Sequence, residues 1–213
     1  MTVLAANSLP DRVADVDALE ELLSRPSQAL IDDLAALKGD IIILGVGGKV
    51  GPCLARMAKR AAPDKRIVGV ARFSDAAVRQ RLEDWGVETI ACDLLHRDGV
   101  NALPKLPNVI YMAGKKFGTS GGEPFTWAMN AHVPALVGEA FAASRIVAFS
   151  TLCVYPFVDV TGPLCGEDVA PVPVGEYANS CVGRERVFQY FSHKHGTPGR
   201  LIRLNYSIDL RYV

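Results

Sequence analysis

Neither sign of charge is in excess in this chain: 23 Lys and Arg offset 23 Asp and Glu among 213 residues. A dedicated nucleic-acid binder would carry a basic surplus to neutralise phosphates, so no nucleic-acid partner is expected. No apolar run approaches the length of a bilayer span, so no membrane partner is expected either. The first residues, MTVLAANSLPDRVADVD, turn acidic at once and have no basic n-region, so no signal peptide is expected. Cysteine is scarce and odd in number: Cys53, Cys92, Cys153, Cys165 and Cys181, with no Cys-x-x-Cys pair. That argues against a disulfide framework or a zinc knuckle and points to free thiols in a reducing cytosol, hence a cytoplasmic protein. Of the four histidines, His193 and His195 lie two apart in an expected helix end, on different faces, so no metal site is expected. What remains is an ordinary globular mixture, 49% hydrophobic and 22% charged. It can bury a core and does not stay disordered. The length allows one domain, or one and a half.

Two helices are expected ahead of the first strand. Val16, Leu19, Leu22 and Leu23 recur at helical spacing up to Pro26; Leu30, Ile31, Leu34 and Leu37 follow an N-cap at Ser27 and stop at Gly39. Residues 1–40 thus read as an N-terminal helical extension. From residue 41 to 213 short apolar runs alternate with helical stretches. The runs are 41–46, 67–70, 87–92, 109–113, 146–149 and 201–204. They are rich in Val and Ile and mostly unalternating, as strands covered on both faces should be. Helices are expected at about 50–62, 75–85, 124–143 and 177–195, the second with Ser74 as cap and Gly86 as stop. This alternation predicts an α/β fold, a doubly wound parallel sheet of the Rossmann kind.

The strongest motif is Gly45-Val46-Gly47-Gly48-Lys49-Val50-Gly51, placed between the first strand and a helix. Glycines let the turn tighten and let backbone N–H groups approach a pyrophosphate, and the helix N-terminus adds its positive dipole end. After the second strand the chain reads Val70-Ala71-Arg72. A binder of unphosphorylated ribose usually has an acidic residue there. Ala71 has no charge, and Arg72 can grip a 2′-phosphate. Lys49 adds positive charge. NADP is therefore expected over NAD.

Several segments then coincide: GVGGKVG at 45–51, CDL at 92–94, VIYMAG at 109–114, MNAHVPAL at 129–136, FSTLCVYP at 149–156, YANSC at 177–181 and RLIRLNYSI at 200–208. Together they resemble the extended short-chain dehydrogenase/reductase family, the NAD-dependent epimerase/dehydratase group, across roughly residues 40–208. The resemblance implies that Asp93 and Leu94 contact adenine, that Ala113 and Gly114 line the cofactor, and that Asn130 steadies the core near the site. It implies Thr151 as the catalytic Ser/Thr and Tyr177 as the catalytic tyrosine.

The sequence departs from the family at Cys181, where a lysine is expected four residues after the tyrosine. Pro156 replaces a glycine after Val-Tyr, and Ile208-Asp209 stand where Gly-Pro often follows. The missing lysine would hold the nicotinamide ribose and lower the tyrosine pKa; a free tyrosine is only about one part in a thousand ionised at pH 7. Lys115 and Lys116, which follow Gly114, are candidates to supply that charge, or are solvated loop lysines. Cys181 is a candidate reactive thiol or a small apolar filler.

The function expected is hydride transfer between a nicotinamide and a polar, sugar-like alcohol or ketone, with Tyr177 exchanging the hydroxyl proton and Thr151 bonding the same oxygen. The alternative is a dinucleotide sensor or scaffold without catalysis. A homodimer through helices near 124–143 and 177–195 is implied by the resemblance, with Val133, Leu136, Val137, Ala140, Phe141, Val187, Phe188 and Phe191 as apolar support. The chain ends just past its last apolar run, so truncation of a C-terminal substrate lobe is expected.

Overall fold

A computed structural model of the chain describes residues 3–4 and 9–205. In chain order the elements are α1 (Val16–Leu23), α2 (Gln28–Ala36), β1 (Ile41–Leu44), α3 (Gly51–Ala61), β2 (Ile67–Ala71), α4 (Ala76–Asp84), β3 (Glu88–Ala91), α5 (Arg97–Ala102), β4 (Asn108–Tyr111), α6 (Glu123–Trp127), α7 (Val133–Ala140), β5 (Arg145–Thr151), α8 (Gly175–His195) and β6 (Gly199–Leu204). A π-turn, Ala128–His132, joins α6 to α7, and a 3-10 turn, Leu152–Val154, follows β5. Among the described residues no helix is long and apolar enough to cross a membrane. The chain forms two compact units. One takes the described residues up to Asp93 and Leu106–Met112; the other takes Leu94–Lys105 and those from Ala113 onward.

In the first unit β2 and β4 both pair in parallel with β1, and β3 pairs in parallel with β2. The order is therefore β3-β2-β1-β4. The chain goes to one side of β1 for two strands and then crosses to the other, which makes the end of β1 a topological switch point. Ile41, Ile42, Ile43 and Leu44 are all buried, as a strand between two parallel neighbours and under helices requires. β3, with one parallel neighbour in this unit, is partly exposed. α1 and α2 pack on α3. Arg60 of α3 reaches Glu21 at 2.9 Å and Ser24 Oγ at 2.9 Å, and Arg81 of α4 reaches the buried Glu20 at 2.9 Å.

In the second unit β5 and β6 pair in parallel, with Thr151 opposite Leu204. α6, the π-turn, α7 and α8 pack on one another, and α5 packs on α7. The parallel pairing and the strand–helix alternation are those of the expected doubly wound α/β fold.

Some details differ from expectation. α4 is capped by Asp75, whose carboxylate accepts the Ala77 N–H at 2.9 Å, and not by Ser74. α5 was not foreseen: it has six residues, one of them Gly99, and buries only Val100, too little for a period to show. The expected helix at 124–143 contains the π-turn, where the Val133 N–H bonds the Ala128 carbonyl five residues back. Pro134 explains it. Proline has no N–H for the carbonyl of Asn130, and its ring crowds that carbonyl, so the backbone widens before it. The expected apolar faces of α7 and α8 are largely used at home: Val133, Leu136, Val137, Phe141 and Phe188 are buried within this unit. Ile208 and Asp209 lie outside the described residues.

Candidate functional site

The glycine loop follows β1 and opens α3. Gly45 has a φ of +94°, open to glycine without strain. A Cβ on Gly51 would stand 2.0 Å from the Val46 carbonyl oxygen, so the first turn of α3 can close on the loop only with glycine there. A Cβ on Gly47 would stand 3.1 Å from the Ala71 Cβ at the end of β2. A Cβ on Gly48, by contrast, would meet only the Gly45 carbonyl oxygen at 3.9 Å. Gly48 is thus not needed for packing within the chain; open space above it suits a ligand. Val50 at the helix start makes no side-chain cap hydrogen bond. Lys49 is exposed, Val50 half-buried, and Arg72 exposed one residue past β2. Asp93, at the end of the first unit, is half-buried. Loop, glycines and helix end fit a pyrophosphate.

The second unit gathers the other residues. Thr151 ends β5 and is buried. Its Oγ1 accepts the Cys153 N–H at 3.2 Å. Thr151 acts on the Tyr177 hydroxyl and draws its pKa down. Tyr177 sits in the first turn of α8, half-buried, and Cys181 one turn later is fully buried. Burial and the Cys181 thiol push the Tyr177 hydroxyl up to about 12, against the pull of Thr151 and Arg184. Burial likewise pushes the Cys181 thiol up, against the charge of Arg184 and the Tyr177 hydrogen bond. At neutral pH both hold their protons.

Asn130 lies in the π-turn and is fully buried. Its Nδ2 donates to the Lys115 carbonyl at 2.9 Å and to Ser180 Oγ at 2.9 Å. Its Oδ1 accepts the Lys115 N–H at 2.8 Å and Arg184 Nη2 at 2.7 Å. One carboxamide thus ties the 114–115 loop to α8. Gly114 is exposed, yet a Cβ there would lie 2.3 Å from Arg184 Nη2, so glycine admits the guanidinium. Ala113 and Leu94 are buried. Lys115 Nζ lies 5.4 Å from the Phe125 ring centre, and Lys116 Nζ 5.5 Å from that of Phe117. Neither lysine is among the groups that shift Tyr177; the cation that does is Arg184.

Two residues were missed by sequence reasoning. Arg184 and Glu185 are buried on the inward stripe of α8 with Ala178, Cys181 and Phe188. Glu185 accepts Ser150 Oγ at 2.6 Å and both Arg203 Nε and Nη2, at 3.0 and 2.9 Å. The signal available was spacing: Arg184 stands seven residues after Tyr177 and three after Cys181, on one helix face. Among the described residues no cluster of three or more His, Cys, Asp and Glu could hold a metal ion.

No protein-family model matches this sequence, and no curated protein matches it. Solved structures do. UDP-glucuronic acid 4-epimerase from Bacillus cereus, in complex with UDP-glucuronic acid and NAD, is 20% identical with a TM-score of 0.66, over 77% of this chain and 55% of that one. The UDP-Glc/GlcNAc 4-epimerase from Campylobacter jejuni is 18% identical with a TM-score of 0.66, over 77% of this chain and 52% of that one. A Bordetella bronchiseptica enzyme in complex with NAD and UDP is 18% identical with a TM-score of 0.63, over 78% and 52%. This chain spans about half the length of those structures. At such identities the likeness establishes the fold: the chain has the Rossmann-type parallel α/β fold of these structures.

Proposed function

We propose that the chain is the dinucleotide-binding part of an NAD(P)-dependent enzyme of the epimerase/dehydratase type, acting on a polar, sugar-like alcohol or ketone. The observation that carries the reading is the Thr151–Tyr177 hydroxyl pair, with its raised Tyr177 pKa, in a chain that also carries the glycine loop. Nucleotide sugars are the substrate class to try first, because the similar structures hold UDP or a UDP-sugar.

In this reading Gly45, Gly47, Gly48, Lys49, Val50 and Gly51 hold the pyrophosphate, and Asp93 and Leu94 the adenine. Arg72, beside the uncharged Ala71, favours a 2′-phosphate and hence NADP over NAD. Ala113, Gly114 and the Asn130-held loop line the cofactor. The bound nicotinamide accepts or gives the hydride. Tyr177 exchanges the substrate's hydroxyl proton, and Thr151 bonds the same oxygen. Burial holds the Tyr177 proton in place, so at neutral pH the residue stands ready as a proton donor. Cytoplasmic location and a homodimer belong to the same proposal. Phe125 and Trp127, exposed on α6, and Tyr190, exposed on α8, offer apolar surface to a dimer.

A second reading, a dinucleotide-binding sensor without catalysis, draws on the same high Tyr177 pKa and on Cys181 in place of lysine. The test is a titration with NAD and NADP, followed by a screen for change in nicotinamide absorbance with UDP-sugars and polyols. Cofactor binding without any substrate-dependent change favours the sensor.

A further inference from the structure

Glu20 and Glu21 are neighbours on α1 and reach different helices of the first unit. Glu21 Oε1 accepts Arg60 Nη2 of α3 at 2.9 Å, and the Glu21 carbonyl accepts Arg60 Nη1 at 3.1 Å. Ser24 Oγ, on a fully buried residue, takes the same Nη1 at 2.9 Å. The second Glu21 oxygen takes Arg25 Nε at 2.8 Å, which holds the carboxylate in place. Glu20, 4% exposed, accepts Arg81 Nη1 of α4 at 2.9 Å. Arg60 and Arg81 each lie in the last turn of their helix. Leu34 of α2 and Leu37 after it pack on the buried cluster that holds Val46, Ala55, Ala58 and Leu82. α3 opens at the glycine loop, and α4 follows the turn that carries Arg72. That turn is strained. Phe73, the residue after Arg72, has a φ of +51°, a left-handed backbone that a bulky side chain seldom adopts. Such a conformation persists only where its surroundings over-determine it. Phe73 packs on the same cluster, to which α4 contributes Leu82.

We propose that α1 and α2 brace the dinucleotide end of the first unit, with Glu21 and Arg60 as positioning residues of the glycine loop and Glu20 and Arg81 as positioning residues of the Arg72 turn. Each arm grips its helix at the far end, and the rigid helix carries the constraint to its first turn. Removing one carboxylate leaves its arginine without that countercharge, so each arm can be opened separately. The inference rests on the proposed function for the pyrophosphate role of the loop and the 2′-phosphate role of Arg72.

The two arms make different demands. Glu21→Gln opens the α3 arm and should weaken NAD and NADP alike, by about fivefold or more. Glu20→Gln opens the α4 arm and should weaken NADP by as much while leaving NAD nearly unchanged. Calorimetry well below the unfolding midpoint reads both, so a loss of stability alone does not move the result. Hydrogen exchange without cofactor gives the same contrast in the chain itself: faster exchange over residues 45–55 in Glu21→Gln and over 72–78 in Glu20→Gln, with 145–151 unchanged in both. Should either variant fail to fold, Arg60→Lys and Arg81→Lys, which keep the charge and lose the guanidinium fork, carry the test with smaller shifts in the same directions. A parent that binds neither dinucleotide contradicts the proposed function, and the exchange contrast then still decides the brace. Unchanged exchange over both segments, or variants that bind both dinucleotides as the parent does, overturns the proposal.

Discussion

Arg184 on α8 and Asn130 in the π-turn share a hydrogen bond of 2.7 Å, and through it the helix that carries Tyr177 is tied to the loop at Lys115. Asn130 makes four hydrogen bonds from a fully buried position. Asn130→Ala would leave Arg184, Ser180 and the Lys115 backbone each short of a partner. We expect a loss of about 2–4 kcal/mol in stability, read by urea unfolding.

The glycines of the loop separate packing from binding. Gly51→Ala must displace the Val46 carbonyl, so it should lower both stability and dinucleotide affinity. Gly48→Ala meets no close neighbour in the chain and should leave stability within about 0.5 kcal/mol of the parent. It should still weaken dinucleotide binding at least about tenfold, worth about 1.4 kcal/mol, because the added methyl stands where the phosphates belong. Unfolding and calorimetric titration of the two variants side by side check this contrast.

Much of this was legible in advance. The strands could be read because β1, β2 and β4 are short, mostly buried runs rich in Val and Ile, and the loop because glycines followed such a strand. Thr151 and Tyr177 were singled out through their place in a run of motifs, and in the structure Thr151 acts on the Tyr177 hydroxyl. The π-turn was hidden because Pro134 sits inside an otherwise helical pattern, and sequence periodicity does not show how a helix accommodates it. Arg184 was hidden because an arginine on a helix is normally solvated, and only the fold reveals that Gly114 clears a place for it. The apolar residues of α7 and α8 were visible, but the sequence alone does not tell a core face from a dimer face.

For the cofactor, Arg72→Ala should weaken NADP by about 1–3 kcal/mol, the worth of a lost charge-assisted bond, and leave NAD nearly unchanged. Calorimetry on parent and variant measures both. Equal affinities of the parent for NAD and NADP would contradict the assignment of Arg72.

Tyr177 also predicts a pH dependence of stability. Its folded pKa, about 12, lies above the ordinary value of 10. The folded state therefore holds the proton more tightly than the unfolded chain. The associated stability is fully present below pH 10 and is lost as pH rises from 10 through 12. Tyr177→Phe should remove this component. Between pH 9 and 11 the parent should lose more stability than Tyr177→Phe, as measured by urea unfolding at each pH.

A homodimer, if it forms through α6 and α8, should depend on Trp127 and Tyr190, which are exposed, and not on the buried Val133 or Phe188. Light scattering at micromolar concentration should give a dimer mass for the parent and a monomer mass for a Trp127→Glu, Tyr190→Glu pair. A monomeric parent would refute the assembly.

The central claim is that Tyr177 exchanges a proton with a substrate while a bound nicotinamide exchanges a hydride. The most direct measurement is the absorbance of reduced nicotinamide when the cofactor-loaded chain meets UDP-sugars, in the parent, Cys181→Ala and Tyr177→Phe. The account predicts a substrate-dependent change in the parent, a similar change in Cys181→Ala and none in Tyr177→Phe. A Tyr177→Phe chain that reacts as fast as the parent, or a parent that binds cofactor and never reacts, would contradict it.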